Sequence, residues 1–441
     1  MNAEVLKQRP LTGALHADGE PLWRADYEAA EGYRAVRATI GKREPGAVTA
    51  AVKEAGLRGR GGAGFPTGVK WGFVPMGDDA PRPKYMIANA DEMEPGTFKD
   101  RLLIERNPHL LIEGMILAAY AIRAERAIIF LRWAYRRGAA ILRRAIAEAQ
   151  AGGYLGRNIL GSGYDLTLEL HTSAGRYMCG EETALISSLE GKRANPRPKP
   201  PFPPVAGLWG RPTIVNNVET FCNVPAILRY GAEWYGALGS GKDGGTKLFG
   251  ASGRVRRPGL WELPMGTPLR VVLEEYAGGM QAGYRLRALL PGGASTDFLS
   301  AEQIGVALDF DSVAAAGSRL GTGTMIILDD QTCPIGAVLN LMRFFSQESC
   351  GWCTPCRDGL PWIVATLEAF EAGEGRPSDL DLLAHHAKFL GPGYTFCPLA
   401  PGAMEPLQSS LKLFHRDYEE HIRHGDCPYR GSMPRAGRVI E

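Results

Sequence analysis

The sequence contains no run of about 20 apolar residues, the length that a membrane-crossing helix needs. Its most apolar stretch, Leu110 to Ile122, is interrupted by Glu113 and reads as a buried helix. The first residues, Met1 to Pro10, carry Lys7 and Arg9 without the apolar core of a secretory signal, so a cytoplasmic, reducing compartment is expected. Charge of one sign is also missing. With 50 basic and 48 acidic side chains the formal net charge is +2, which gives no bulk electrostatic basis for nucleic-acid binding. No H-E-x-x-H, G-x-S-x-G or Walker motif is present, which argues against metalloprotease, serine hydrolase and phosphoryl-transfer chemistry. Internal repeats and long low-complexity segments are absent as well. In a reducing compartment the eight cysteines are expected as thiols or metal ligands rather than disulfides.

What is present is an ordinary globular composition, 45% hydrophobic over 441 residues, long enough for two or three packed domains. After an N-terminal extension (1–44), residues 45–238 alternate strand-like runs (Tyr85 to Ala90, Ala127 to Leu131) with helical ones (Pro108 to Arg123, Tyr135 to Ala151). That pattern predicts an α/β domain. Residues 245–330 read as strand, strand, helix, strand, strand, the order of a small β-grasp-like domain. Residues 335–423 look helical, with Met404, Leu407, Leu411, Phe414, Tyr418 and Ile422 on one stripe, and predict a C-terminal four-helix bundle. The tail 424–441 is expected to be disordered.

The densest chemistry lies in the helical part. Cys350, Cys353 and Cys356 are spaced by two residues, and Cys397 follows beside Pro398. A compact C-x2-C-x2-C loop with a fourth cysteine arriving from elsewhere, next to proline, suits a 4Fe-4S cluster. Structural zinc sites more often show two C-x2-C pairs or a Cys/His mixture, and His385 and His386 keep that alternative open. A disulfide would leave one thiol of the triplet unpaired. Cys179, Cys222, Cys333 and Cys427 lack ligand spacing and read as buried or incidental thiols.

Gly59-Arg-Gly61-Gly62-Ala-Gly64 matches G-x-G-x-x-G, yet a helical run precedes it and Phe65-Pro-Thr-Gly follows, so it is not the ordinary dinucleotide fingerprint. Its glycines still let backbone N–H groups approach a phosphate or flat ring, with Arg58, Arg60 and Lys70 supplying positive charge. The strand Tyr85 to Ala90 runs into Asp91, Glu92 and Glu94, where open α/β sheets bind ligands. Asn89, Asp91 and Glu92 are candidate acceptors for ligand hydroxyls or a ring N–H. Two further clusters, Gly175 to Thr183 and Asn216 to Thr220, read individually as loops or helix caps, and Lys199 to Pro203 as an extended surface loop.

Together, Gly56 to Gly68, Asn89 to Arg101, Cys179 to Leu185 and Ser349 to Arg357 occur in one order. In that order they resemble the NADH-binding flavoprotein subunits of respiratory complex I, over about residues 45 to 422. The resemblance implies a Rossmann-like FMN domain, a β-grasp domain and a helical cluster domain. It implies FMN contacts at Gly61, Gly62, Gly64, Lys70, Asn89, Asp91, Glu92, Tyr177, Gly180, Glu181, Asn216, Asn217 and Thr220. NADH contacts are implied at Phe65, Lys70, Phe73, Glu94, Glu182, Lys199 and Phe202, and a 4Fe-4S cluster on Cys350, Cys353, Cys356 and Cys397. Ala134 and Ser173 depart from the family pattern, where glutamate and glycine are usual, and Cys333 is peculiar to this chain.

The implied activity is NADH:quinone oxidoreductase electron input: hydride to FMN, single electrons to the cluster, then partner iron-sulfur subunits. Hydride transfer between stacked rings needs no side-chain acid or base, so no catalytic residue is expected, with Glu94 tuning the site. Glu94 and Glu182 are expected to repel the extra phosphate of NADPH. The implied partners are a small 2Fe-2S (24 kDa-type) subunit and the large iron-sulfur subunit, which would hold the protein on the cytoplasmic face of the inner membrane. The alternatives are a diaphorase subunit of an NAD-dependent hydrogenase or formate dehydrogenase, an electron-relay iron-sulfur protein without nucleotide chemistry, and a zinc-stabilised nucleotide-binding scaffold.

Overall fold

The structure is a computed structural model that describes residues 3–430. The chain forms two compact units: Met1–Met93 with Thr97–Phe249 and Leu260–Thr267, and Glu94–Gly96 with Gly250–Gly259 and Pro268–Glu441. The β-grasp-like segment is therefore divided between the units. Most of it shares the second unit with the helical segment.

The first unit is built on a parallel sheet of β1 (Tyr85–Ala90), β2 (Arg126–Leu131), β3 (Thr167–Thr172) and β4 (Thr213–Asn217), in the order β3-β2-β1-β4. β1 is apolar on both faces because helices cover both, the usual burial of an all-parallel sheet. Its register places Asn89 beside Asn217 and Ala90 beside Leu131, so the carboxyl ends of three strands are level. The helix Pro108–Ala121 starts on proline, whose missing N–H costs nothing in a first turn, and is buried on nearly every side. Arg136–Ala151 is amphipathic and buries Ala139, Leu142, Ala145, Ile146 and Ala149.

Glu113, the charge inside the most apolar stretch, is fully buried. Its carboxylate accepts the backbone N–H groups of Tyr33 (3.0 Å), Ala35 (3.1 Å) and Val36 (3.3 Å), at the start of the helix Arg34–Thr39. It also accepts the Tyr27 hydroxyl and faces Arg229 at 3.7 Å. A buried carboxylate so supplied with donors is anchored rather than stranded. It ties the N-terminal extension into the first unit.

The second sheet orders β6 (Gly259–Pro264), β5 (Thr246–Ser252), β9 (Thr324–Asp329), β7 (Leu286–Leu290) and β8 (Leu299–Ser300). β5 runs parallel to β9, and β7 antiparallel to β9 and β8. The short β8 and a helix, Phe310–Ala315, are additions to the expected strand order.

Among the described residues five helices follow: Pro334–Glu348, Thr354–Glu371, Pro377–Phe389, Leu399–Leu413 and His415–His424. The stripe from Met404 to Ile422 is thus two helices, because the backbone breaks at Phe414 (φ −117°, ψ 25°) while the apolar spacing continues across the break. The tail expected to be disordered is packed where described: Cys427 is buried, and Tyr429 bonds Asp417 (2.6 Å) and Arg287 (2.7 Å). Residues 431–441 lie outside the described residues. Among the described residues, no helix is long and apolar enough to cross a membrane.

Candidate functional site

In the first unit the chain passes from β1 outward to β2 and β3, whereas β4 lies on the other side of β1. The carboxyl ends of β1 and β4 therefore flank a topological switch point, where open parallel sheets leave a crevice for ligands. Four of the sequence motifs converge there. The glycine loop is closed by Gly59 N–H donating to the Phe65 carbonyl (2.9 Å) and Arg58 Nε to the Gly64 carbonyl (2.7 Å). Gly62 (φ 124°) and Gly64 (φ 65°) adopt backbone that side chains disfavour. A Cβ on Gly61 would lie 3.0 Å from that of Asn217, so any side chain there would push the loop or Asn217 back by a few tenths of an ångström from this close seat on the end of β4. The Arg60 N–H donates to Thr220 Oγ1 (2.9 Å), and Trp71 Nε1–H to Asn216 Oδ1 (2.9 Å).

A chain of alternating charges lines the same edge. Lys70 Nζ lies 2.6 Å from Glu182 and donates to the Val215 carbonyl (2.9 Å). Lys199 Nζ reaches Glu181 (3.1 Å) and Glu182 (3.2 Å). Burial pushes the Glu182 carboxyl up, but Lys70 and Lys199 outweigh it and hold the group below the usual carboxylate range. Glu181 caps the helix Glu182–Leu189 by accepting the Thr183 and Ala184 N–H groups, each at 2.9 Å. Asn89 Nδ2 donates to the Cys179 carbonyl (3.0 Å). Tyr177 is half-buried and Gly180 exposed, the latter with open space where a side chain would stand. Phe65, Phe73 and Phe202 are exposed, and the Phe65 and Phe73 rings lie 6.3 Å apart.

Some sequence-identified residues have other employment. The Glu92 carboxyl turns inward, accepting the Asp100 (2.9 Å) and Arg101 (3.1 Å) N–H groups and the Tyr135 hydroxyl (2.9 Å). Burial, reinforced by Asp100, pushes it up to about 7. Arg60 is buried, and its Nη2 donates to the Gly244 (2.8 Å) and Thr246 (3.2 Å) carbonyls. Glu94 belongs to the second unit, where its carboxylate accepts the Ser295 N–H at 2.7 Å. Ser173 fits without positive φ: its hydroxyl accepts the Gly175 N–H at 3.0 Å.

Sequence reasoning missed the buried support under this edge. Lys99 Nζ lies 2.8 Å from both Asp100 and Glu219, and Lys247 lies 3.1 Å from Glu219. Asn217 joins it, accepting from Lys99 (3.1 Å) and donating to Asp100 (2.6 Å). Burial opposes ionisation of Glu219, yet Lys247, Lys99 and Arg60 bring its carboxyl down to about 2. The strings Phe-Lys-Asp-Arg and Asn-Asn-Val-Glu-Thr carried the signal. Nothing local says that groups so far apart in the chain as Asp100 and Glu219 will share one ammonium, that of Lys99.

In the second unit, Cys350 follows the helix Pro334–Glu348, Cys353 immediately precedes Thr354–Glu371, Cys356 sits in its first turn, and Cys397 precedes Leu399–Leu413. Ser349 Oγ lies 3.1 Å from Cys356 Sγ. Burial pushes the Cys356 thiol up to about 11, with Cys353 and Cys350 adding to the rise. Cys397 goes to about 12 by burial and by Cys350, Cys356 and Cys353. Four sulfurs that repel one another as thiolates suit an iron cluster, whose positive iron ions ligate deprotonated thiols.

Residues 52–226 match the Nuo51 FMN-binding domain, 250–299 the SLBB domain, and 336–421 the NADH-ubiquinone oxidoreductase-F iron-sulfur binding region. The chain is similar to the F subunit of NADH-quinone oxidoreductase in Salmonella typhimurium (strain LT2) and in Escherichia coli (strain K12). Each is 55% identical over 414 residues, which is 94% of this chain and 93% of the relative. It is also similar to a solved NAD+-reducing NiFe-hydrogenase in the air-oxidized state, with TM-score 0.79 and 39% identity over 89% of this chain and 65% of that one. In the H2-reduced state the values are 0.80 and 38%, over 94% and 67%. The chain thus spans about two thirds of the length of those hydrogenase chains. By identity and by near-complete mutual coverage, the chain belongs to the family of NADH-quinone oxidoreductase F subunits.

Proposed function

We propose that this chain is the NADH-oxidising subunit of a respiratory complex I, taking hydride from NADH onto FMN and delivering single electrons to one 4Fe-4S cluster. The observation that carries this reading is the glycine loop closed over the switch point of the parallel sheet, in a chain that also gathers a cysteine quartet. Bound FMN supplies the hydride acceptor and the conversion of electron pairs to single electrons.

The protein's own residues position and exclude. The backbone N–H groups of Gly61, Gly62 and Gly64 would hold FMN, with Lys70 as the nearby cation. Asn89, Asp91, Tyr177, Gly180, Glu181, Asn216, Asn217 and Thr220 shape the remainder of the flavin pocket. Glu92 acts through the helix it caps, behind the pocket wall. Phe65, Phe73 and Phe202 offer ring faces to the nucleotide, and Lys199 with Glu182 meets its polar groups. Glu94 joins this set on the family resemblance alone. Cys350, Cys353, Cys356 and Cys397 ligate the cluster.

The segments 45–238, 245–330 and 335–423 then serve as FMN/NADH, β-grasp and cluster domains, the last a four-helix bundle with an added terminal helix. The exposed rings of Trp352, Tyr394 and Phe396 flank the cysteines and suit an apolar contact with the large iron-sulfur subunit. A small 2Fe-2S subunit is the second partner, and the assembly holds the chain at the cytoplasmic face of the inner membrane. The hydrogenase-diaphorase reading is weaker, because identity to that protein is 39% against 55% to the quinone-linked relatives. Ferricyanide reduction by NADH with the full-length, FMN- and iron-loaded chain tests the proposal. Turnover is expected, and a loaded chain that fails to oxidise NADH would sink it.

A further inference from the structure

Two cysteines that lack any ligand spacing in the sequence meet in the second unit. Cys333 precedes the helix Pro334–Glu348, Glu371 ends Thr354–Glu371, His421 lies in His415–His424, and Cys427 follows in the terminal turn. One sulfur, oxygen or nitrogen from each of these residues lies within 4.8 Å of all the others. Cys333, His421 and Cys427 are buried, and Glu371 is half-buried.

The spacing is that of ligands around one ion. Cys333 Sγ is 3.5 Å from His421 Nε2, and His421 Nε2 is 3.4 Å from Glu371 Oε1. A tetrahedral zinc with its usual bond lengths separates sulfur from nitrogen by roughly 3.5 Å and nitrogen from oxygen by roughly 3.4 Å. Cys333 Sγ to Glu371 Oε1, at 2.9 Å, is tighter than such an ion would leave it. The imidazole is also preset. His421 Nδ1 lies 2.7 Å from the Asp417 carbonyl oxygen, which can only accept, so Nδ1 carries a proton and the neutral ring turns its Nε2 lone pair towards the cluster. The Gly336 N–H donates to Cys333 Sγ at 3.3 Å, fixing the sulfur at the N-terminus of a 15-residue helix. Arg430 Nη2 donates to the Glu371 carbonyl (2.8 Å), bringing the end of the described chain over the group.

We propose that Cys333, Glu371, His421 and Cys427 form a closed, structural zinc site that fastens the terminal turn to three helices of the second unit. Two sulfurs, an imidazole and a carboxylate are a borderline-soft set that suits zinc, and four protein ligands leave no open position for catalysis. The site is distinct from the cysteine quartet. Cys356 and Glu371 lie near opposite ends of one helix, roughly 22 Å apart at 1.5 Å per residue.

The competing arrangements are a metal-free hydrogen-bonded group, in which the Cys333 thiol donates to Glu371, and a Cys333–Cys427 disulfide. Full-length chain from zinc-supplemented cells is analysed for metals and by X-ray absorption at the zinc edge, alongside the C333S/C427S double variant. About one zinc per chain is expected, with two sulfurs at roughly 2.3 Å and two nitrogen or oxygen neighbours at roughly 2.0–2.2 Å. In the double variant that zinc is lost while FMN content and the 4Fe-4S EPR signal persist. If the double variant does not fold, the wild-type spectrum alone decides. Wild-type chain without zinc, zinc in a shell lacking sulfur, equal zinc in the variant, or a mapped Cys333–Cys427 disulfide would each overturn the assignment.

Discussion

Replacing Glu219 with glutamine removes the carboxylate that two buried ammonium groups share. Lys99 keeps Asp100 at 2.8 Å, but Lys247 loses its partner at 3.1 Å. Holding the Glu219 carboxyl down from 4.5 to about 2 is worth about 3 kcal/mol in the folded state. That agrees with the ~3–5 kcal/mol lost when one member of a buried ion pair is removed.

The sign of the pH dependence follows from the two groups. The folded value of Glu219 lies below its unfolded one, so its contribution is complete above pH 4.5 and is lost as pH falls towards about 2. Lys247 behaves oppositely: burial, with Lys99 and Arg60 adding and Glu219 opposing, pushes it down to about 7. Left alone it releases its proton more readily still, so the damage is largest near pH 6 and shrinks by about pH 9. The expected loss at about pH 6 is about 3 kcal/mol, a fall of roughly 6–12 °C in the thermal midpoint. The double variant E219Q/K247M recovers much of it, because the stranded ammonium is gone. Thermal and urea unfolding of the full chain measure both. A single variant within about 0.5 kcal/mol of wild type at about pH 6, or a loss no smaller at about pH 9, would rule out this role for the network.

Other consequences are as direct. Cys397→Ser is expected to abolish the EPR signal of the 4Fe-4S cluster while FMN stays bound, and a retained signal would remove Cys397 from the ligand set. Glu182→Gln removes the carboxylate that Lys70 holds at 2.6 Å and Lys199 at 3.2 Å; Lys199 keeps Glu181 at 3.1 Å, and Lys70 is left as the cation to greet a 2′-phosphate. The NADPH-to-NADH ratio of kcat/KM should rise about fivefold, on the order of 1 kcal/mol, and an unchanged ratio would show that discrimination lies elsewhere.

The legible features were those in which local pattern and tertiary role coincide. β1 was readable because a strand buried on both faces is apolar at successive positions, and its carboxyl end marked the crevice without further information. The glycine loop was recognisable as a close-approach segment, and the structure supplies its reason, the seat against Asn217. Where a residue's partner is remote, the sequence was silent or misleading. Asp91-Glu92-Met-Glu94 reads as one acidic edge, yet Glu92 caps the next helix and Glu94 belongs to the second unit. The helix break at Phe414 was hidden by an apolar stripe that continues past it. Cys333 and Cys427 looked incidental because their neighbours in space come from the ends of other helices; 88 residues of chain separate Cys333 from His421.

Flavin and cluster are held to share one electron path within this chain. Anaerobic titration of the full-length, FMN- and iron-loaded protein with NADH, followed together by absorption and EPR, puts that path to the test. NADH is expected to bleach the flavin bands and to raise a reduced 4Fe-4S signal in the same titration. A flavin that bleaches while the cluster stays silent at every NADH concentration, with dithionite then reducing it, would show that no such path exists.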